Sequence, residues 1–229
     1  MKKNFIIVDC ETTIKDTVAD FAAVVCDRAG NIINQMAILI PAELDKGLFF
    51  IPDGGFWSRE NATKKETAYR EMVLNGSRMF GTVPAINRWL ARAALEYRPI
   101  LTAYNLQFDT SRCAGTGIDL TVFDNRQFCL WRAANAMLIR GKNGNLTRNF
   151  VAFCLQQYTM TAKFNLRSNA ESVAHYVTGT ATVEPHTALE DILLCELPIL
   201  RAILKQKKPI VERAYNWREF QLRDLARPN

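Results

Sequence analysis

Two carboxylates stand two residues apart at the end of an apolar run near the start of the chain. Residues 5–8, Phe-Ile-Ile-Val, are followed directly by Asp9, Cys10 and Glu11. The run predicts a strand buried on both faces, and side chains two apart on a strand point to the same side. Two like charges 4 Å apart cost roughly 4 kcal/mol at an effective dielectric of about 20. A divalent cation between them would remove that cost, which favours a site for Mg²⁺ or Mn²⁺.

Asp-x-Glu also arises by chance at solvated strand ends, so a metal site needs partner acids elsewhere in the chain. Residues 100–103 predict a short strand, and Asn105 after it is a suitable N-cap for a helix. That helix carries Asp109 in its first turns, beyond the carboxyl end of the strand. Sites in α/β sheets gather at this end, which makes Asp109 a further candidate ligand.

A histidine and an acid form the second strong signal. Residues 184–191 read Glu-Pro-His-Thr-Ala-Leu-Glu-Asp. The Thr and the Glu three residues after it match a capping box, which predicts that a helix begins just after Thr187. His186 and Asp191 then occupy two positions that meet at a helix start, and the positive helix end favours an ionised Asp191. The other histidine, His175, has no acidic partner at useful spacing and is predicted to be structural.

The segments that must position these groups alternate between strand and helix patterns. Residues 21–26 and 32–40 predict two further strands joined by a short turn, so an antiparallel meander opens the domain. Another strand is predicted within residues 123–129. Helices are predicted near residues 65–75, 84–97, 105 onwards, 130–139, 146–158, 169–177 and 188–204. We therefore expect an α/β fold whose mixed sheet has three antiparallel strands, then parallel strands, and is flanked by helices.

Length and composition limit the class of protein. A chain of 229 residues with 48% hydrophobic and 23% charged residues suits one globular domain. We predict this domain over residues 1–204 and a basic tail over residues 205–229. The tail has seven basic and three acidic side chains, which favours a handle for nucleic acid or a docked amphipathic helix. The net charge of +6 also favours a polyanionic partner.

The cellular location follows from what the sequence lacks. No apolar run approaches the roughly 20 residues of a membrane span, and the start of the chain lacks the pattern of a signal peptide. The six cysteines are scattered without a Cys-x-x-Cys motif, which indicates neither a zinc site nor a disulfide framework. These features favour a cytoplasmic protein that does not bind a membrane.

A long connection over residues 41–66 combines aromatic and basic side chains. Structureless connections of this length are uncommon unless they are functional. Aromatic residues among cations stack on bases in single-strand binders, so Phe56 and Trp57 are candidate substrate contacts. Packing against the core is the favoured explanation for Phe49 and Phe50 and stays equally open for the other two.

Three motifs, read together, resemble in order and context those of the DEDDh 3′–5′ exonucleases. They are Asp9-x-Glu11, Asn105-x-x-Phe108-Asp109 and His186-x₄-Asp191. This superfamily contains proofreading exonucleases and RNase T and has a ribonuclease-H-like fold. The segment from Tyr176-Val-Thr-Gly179 to Asp191 looks most like bacterial and phage-borne members. The resemblance covers about residues 4–204, whereas residues 41–83 and the tail match no part of the family pattern.

The resemblance implies a role for each matching position. Four acids would be the metal ligands: Asp9, Glu11, Asp109 and Asp191. His186 would be the general base. Thr12 would bring its backbone close to the terminal nucleotide, and Tyr104 and Asn105 would contact the substrate. The sequence departs from the family pattern at Tyr104, where a histidine is common, and at Ile14, where a glycine is frequent.

The resemblance also implies a reaction. The protein would hydrolyse phosphodiester bonds at the 3′ ends of single-stranded nucleic acid, with DNA favoured and RNA left open. Two Mg²⁺ or Mn²⁺ ions would be the cofactors: Asp9 would bridge them, Glu11 and Asp191 would complete one site, and Asp109 would hold the other ion. His186 would take a proton from the attacking water, a role worth about 10²–10⁴-fold in rate. Both a monomer and a homodimer stay open.

Two other functions stay open as well. A non-catalytic module could keep the fold and grip nucleic-acid ends, although a complete acid set with a histidine favours the enzyme. A proofreading subunit could use the basic tail as a tether to a polymerase. Nuclease activity with Mn²⁺ on a 3′-labelled oligonucleotide separates an enzyme from a binding module.

Overall fold

A mixed sheet forms the centre of the protein, which a computed structural model describes at residues 3–44, 59–123, 126–214 and 217–221. The strands are β1 (Phe5–Thr12), β2 (Val18–Cys26), β3 (Ile32–Leu39), β4 (Met79–Phe80), β5 (Ile100–Ala103) and β6 (Gln127–Cys129). They form a six-stranded sheet in the order β4-β3-β2-β1-β5-β6. β1, β2 and β3 pair antiparallel, and β5 and β6 extend the sheet parallel to β1. The predicted mixed α/β sheet with an opening meander is thereby confirmed.

Helices flank this sheet. They are α1 (Pro41–Leu44), α2 (Arg59–Leu74), α3 (Val83–Tyr97), α4 (Leu106–Thr116), α5 (Leu130–Ala134), α6 (Arg148–Gln156), α7 (Ala170–Thr178), α8 (Ala188–Asp191) and α9 (Leu197–Lys205). A π-helical turn, Asn135–Ile139, follows α5, and a second one, Ile192–Glu196, joins α8 to α9 without a break. Such turns are rare and are frequent at functional sites. Within the described ranges, no helix is both long and apolar enough to span a bilayer.

The alternation of side chains along β1 divides the core into two layers. Its even-numbered side chains from residue 6 to residue 10 pack with α3 and α4, whereas Phe5 and Ile7 pack with α5, α7 and the helix from α8 to α9. Ile7 is wholly buried, and burial of a side chain of this size contributes roughly 1.5–3 kcal/mol. Asp9 and Glu11 continue the odd-numbered series, so they emerge on the side of the sheet that carries α8 and α9.

The connection between β3 and α3 differs from the predicted one. It contains α1 and α2, and α2 begins at Arg59 rather than near residue 65. Tyr69 of α2 packs with Ala19 and Leu39, which attaches this helix to the sheet. The aromatic residues predicted in this connection lie outside the described residues: Phe49, Phe50, Phe56 and Trp57. Their assignment to core packing or to substrate contacts therefore stays a prediction.

The described part of the C-terminal segment packs against the domain. Residues 206–214 form no helix. Oε1 of Glu212 accepts a hydrogen bond from the backbone N–H of Cys129 at 2.6 Å. Phe220 is buried, and its carbonyl accepts a hydrogen bond from the N–H of Leu166 at 2.8 Å. These contacts attach the segment to the end of β6 and to the chain between α6 and α7.

Candidate functional site

One cleft collects the residues that the sequence singled out. Its volume is about 660 Å³. All five predicted metal and catalytic residues line it, namely Asp9, Glu11, Asp109, His186 and Asp191. Three predicted substrate contacts also line it, namely Thr12, Tyr104 and Asn105. Phe56 and Trp57, the other two, lie outside the described residues.

The ends of two parallel strands form the base of this cleft. β1 and β5 are neighbours in the sheet, so their carboxyl ends meet at one edge. The register of β1 against β2 shifts between Glu11 and Thr12, where the regular pairing of the two strands ends. α4 begins just after β5 with Asn105 at its N-cap, which places Asp109 in the first turn. Asn105 is thus the N-cap, as predicted, although its side chain makes no capping hydrogen bond.

Glu11, His186 and Asp191 form a compact group. One ligand atom from each of these three side chains lies within 4.8 Å of the other two. The backbone N–H of His186 donates a hydrogen bond to Oδ1 of Asp191 at 3.2 Å, which confirms the predicted meeting of these two residues. His186 has a φ of 57°, and this left-handed conformation is uncommon in a residue other than glycine.

The start of the helix that carries Asp191 is held differently from the predicted capping box. Thr187 is the N-cap, as predicted, but its side chain makes no capping hydrogen bond. Its hydroxyl donates instead to the carboxylate of Glu190 at 2.7 Å. The backbone N–H of Ala188 donates to Oδ2 of Asp20 on β2 at 2.9 Å. The cap therefore comes from a distant strand, and it ties α8 to the sheet.

Arg78 connects the two acids around this helix start. Its Nε binds Oδ1 of Asp20 at 3.2 Å, and its guanidinium also forms an ion pair with Glu190. The hydroxyl of Tyr69 donates to Oδ2 of Asp20 at 2.8 Å. Burial raises the pKa of Asp20, although the charge of Arg78 and the bond from Tyr69 oppose that rise. The sequence did not predict this network, because Arg78 lies 58 and 112 residues from its two acidic partners.

Burial makes the acids of the cleft harder to ionise. It raises the pKa of Asp109 to about 7, against the opposing effect of a hydrogen bond from the Cys10 thiol at 3.3 Å. Burial and neighbouring carboxylates raise the pKa of Asp191 to about 10. Burial also raises the pKa of Asp9 well above its usual value, and the charge of Glu196 contributes next. Positive charge entering the cleft would reverse these shifts.

Glu184 and Glu196 also line the cleft as acids that were not predicted as site residues, and the buried one is Glu196. It ends the π-helical turn that begins just after Asp191. Side chains five residues apart on a regular α-helix diverge by roughly 140°, so spacing alone gives no sign that the two acids share a site. The π turn brings both of them to the cleft. Oε1 of Glu196 accepts a hydrogen bond from the backbone N–H of Tyr104 at 3.1 Å.

Lys65 of α2 reaches the acid group and was also not predicted. Its Nζ lies 2.7 Å from Oε2 of Glu11, and the side chains of Lys65 and Glu11 are only 8% and 12% exposed. A low dielectric strengthens such an ion pair. The ammonium group therefore supplies a counter-charge to Glu11, on the oxygen that a divalent cation would also bind.

Aromatic and polar side chains complete the walls of the cleft. Phe108, Trp131 and Tyr104 line it together with Arg167. The hydroxyl of Tyr104 donates to the carbonyl of Ser168 at 2.5 Å, and the indole N–H of Trp131 donates to the hydroxyl of Ser168 at 3.3 Å. These bonds hold two aromatic rings in place beside the acids, so the site combines flat apolar surfaces with positive and negative charge.

The second histidine does not line the cleft. The ring of His175 packs edge-on against that of Phe153, with the ring centroids 4.9 Å apart. This contact agrees with the predicted structural role. His186 is therefore the histidine through which a proton could move at the cleft.

No protein-family model and no curated protein matches the sequence. Function must therefore be inferred from the cleft itself. Its carboxylate oxygens with one imidazole are a donor set that suits hard divalent cations. The cleft places flat rings and an arginine beside this donor set.

Proposed function

We propose that the protein is a metal-dependent 3′–5′ exonuclease of the DEDDh type with a ribonuclease-H-like fold. The observation that carries this proposal is that four acids and a histidine from three distant segments line one cleft: Asp9, Glu11, Asp109, His186 and Asp191. Their order in the chain and their position at the ends of β1 and β5 fit the resemblance in the sequence. The net charge of +6 fits a polyanionic substrate.

The acids would hold two Mg²⁺ or Mn²⁺ ions. An oxygen of Glu196 is buried without a hydrogen-bond partner among the described residues, and such an atom in an acidic cleft fits a cation. Glu11 and Asp191 would hold one ion, Asp109 would hold the other, and Asp9 would contact both. Bound ions would stabilise the charge that develops on the attacking and leaving oxygens of the phosphodiester.

His186 would accept the proton of the attacking water. Its side chain is half-buried beside Glu11 and Asp191, so it reaches both the cleft and the solvent. The hydrogen bond from its backbone N–H to Asp191 fixes the segment that carries the imidazole. General-base catalysis of this kind contributes about 10²–10⁴-fold to the rate.

The walls suit an unpaired 3′ end. Rings such as those of Phe108 and Trp131 can stack on any base, which favours single strands without a sequence requirement. Arg167 lines the same cleft and would pair with a phosphate. We expect DNA to be the preferred substrate and RNA the alternative, and the 2′-hydroxyl is the group that distinguishes them.

The test is digestion of matched single-stranded DNA and RNA that carry a label at the 5′ end. With Mn²⁺, the protein should produce a ladder of products shortened from the 3′ end, and chelator should abolish it. Asp9→Ala should reduce the rate by at least about 10³-fold, since it removes an acid that contacts both ions. The control is Asp119→Ala, an exposed acid that does not line the cleft. If Asp9→Ala shortened 3′ ends as fast as the wild type, the proposal would be wrong.

The ion pair between Lys65 and Glu11 favours a second candidate, a module that binds nucleic-acid ends without cleaving them. A lysine that neutralises Glu11 leaves less negative charge for a cation and more positive charge for a phosphate. Such a module would bind the labelled strands in chelator and leave them intact in Mn²⁺. The same digestion, followed by a filter-binding measurement, separates the two functions.

A further inference from the structure

One carboxylate oxygen of Glu196 has no role in the metal site that the four predicted acids would form. The side chain is 4% exposed and lines the cleft. Oε1 accepts the hydrogen bond from the backbone N–H of Tyr104 at 3.1 Å. Oε2 is buried and has no hydrogen-bond partner among the described residues. An unsatisfied polar atom of this kind costs about 1–3 kcal/mol, and more when it carries charge, so its retention needs a reason.

The charges that act on Glu196 are those of other carboxylates. Burial has the largest effect on the raised pKa of Asp9, and the negative charge of Glu196 has the next largest. Burial and the charge of Asp109 in turn raise the pKa of Glu196. The geometry agrees with this, because Glu196 accepts the N–H of Tyr104, which directly precedes the N-cap of the helix that carries Asp109, and Asp9, Asp109 and Glu196 all line the cleft. Glu196 does not belong to the compact group of ligand atoms that Glu11, His186 and Asp191 form among the described residues.

We propose that Glu196 is a fifth carboxylate of the metal centre and that its Oε2 ligates the cation shared by Asp9 and Asp109. This inference rests on the metal centre of the proposed function. It divides the acids into two sets, one of Glu11 and Asp191 and one of Asp109 and Glu196, with Asp9 common to both. Oε1 stays on the backbone of Tyr104, so the loop that leads into α4 and the second cation are held by the same carboxylate.

A purely structural role is the competing explanation. Glu196 could serve only to accept the N–H of Tyr104 and so fix the start of α4. Glu196→Gln separates the two roles. The amide oxygen of glutamine can still accept that hydrogen bond, whereas its NH₂ group cannot ligate a cation.

The experiment measures Mn²⁺ binding to the metal-free full-length protein by calorimetry and by electron paramagnetic resonance. The wild type should bind two ions. Glu196→Gln should weaken one of them at least tenfold, equivalent to about 1.4 kcal/mol, and should leave the other within about threefold. The control is Glu71→Gln, which removes an exposed carboxylate of α2 outside the cleft and should change neither site.

Thermal melts in chelator and in Mn²⁺ test the folding of the variant. Glu196→Gln should melt in chelator at about the wild-type temperature, because its amide oxygen can keep the hydrogen bond from Tyr104, and should gain less from Mn²⁺. If it melts lower in chelator, Glu196→Ala serves as the second variant and should show the same loss of one ion. Two ions bound with wild-type affinity in either variant would overturn the inference.

The outcome also separates this inference from the proposed function. If the wild type binds two ions and Glu196→Gln binds one tightly, the inference stands even when no nucleic acid is degraded. If both proteins bind two ions equally and the wild type degrades 3′ ends, the function stands and the inference falls. If the wild type binds no Mn²⁺, both are wrong.

Discussion

The guanidinium of Arg78 binds the carboxylate of Asp20 inside the protein, where both side chains are fully buried. Asp20 in turn accepts the first N–H of the helix that carries Asp191, and Arg78 also pairs with Glu190, the residue before Asp191. The position of a predicted metal ligand thus depends on an ion pair between β2 and the segment that follows α2. Loss of this ion pair should therefore change the position of Asp191 in the cleft.

Replacing Arg78 by methionine should destabilise the protein and loosen the attachment of the helix that carries Asp191. The change leaves the buried carboxylate of Asp20 without its charged partner, which typically costs about 3–5 kcal/mol. Chemical denaturation measures the loss. The control is Arg70→Met, because Arg70 is exposed on α2, and it should shift the free energy of unfolding by less than about 0.5 kcal/mol. A loss of equal size in both variants would show that the buried pair has no special role.

Lys65 should compete with a divalent cation for Glu11. Its ammonium binds the oxygen at 2.7 Å, so a cation must displace it or share that carboxylate. Lys65→Met should therefore bind Mn²⁺ roughly tenfold more tightly in calorimetry, a gain of about 1.4 kcal/mol. Lys205→Met, an exposed lysine at the end of α9, should leave the affinity unchanged. Weaker Mn²⁺ binding in Lys65→Met would contradict competition.

Some residues of this site could be predicted from the sequence because they belong to patterns that span only a few positions. The apolar run before Asp9 has the pattern of a buried strand, and Asp109 follows another such strand. The spacing of His186 and Asp191 reflects the geometry of a helix start. These patterns concern residues a few positions apart, so they can be recognised without knowledge of the tertiary structure.

The missed residues depend on contacts between distant segments. Lys65 lies 54 residues from Glu11, and no local pattern pairs them. Glu196 reaches the cleft only because a π turn follows Asp191, and the sequence has no motif for that turn. The predicted capping box failed for a similar reason: Glu190 bonds to Arg78 and to Thr187, so its carboxylate is engaged elsewhere.

His186→Asn should slow hydrolysis and leave metal binding nearly intact. Removing a general base typically costs about 10²–10⁴-fold in rate, whereas the acids that would hold the ions remain. The digestion rate and Mn²⁺ calorimetry measure the two effects on the same preparation. His175→Asn is the matched control, because that histidine packs against Phe153 away from the cleft, and its rate should stay within about threefold of wild type. Equal rate losses in both variants would remove His186 from the proposed mechanism.

The metal-free protein should lose stability as the pH rises from about 5 to 8. Burial raises the pKa of Asp109 from 3.8 to about 7 and that of Asp191 from 3.8 to about 10, so the folded chain keeps protons that the unfolded chain has lost. The free energy of unfolding falls with pH wherever the folded state binds more protons. In chelator, the melting temperature should drop by at least roughly 4 °C over this range, and Mn²⁺ should reduce or reverse the drop. Asp109→Asn should flatten the dependence of the melting temperature on pH below pH 7, whereas Asp119→Asn should not. A melting temperature that rose with pH in chelator would contradict the raised pKa values of Asp109 and Asp191.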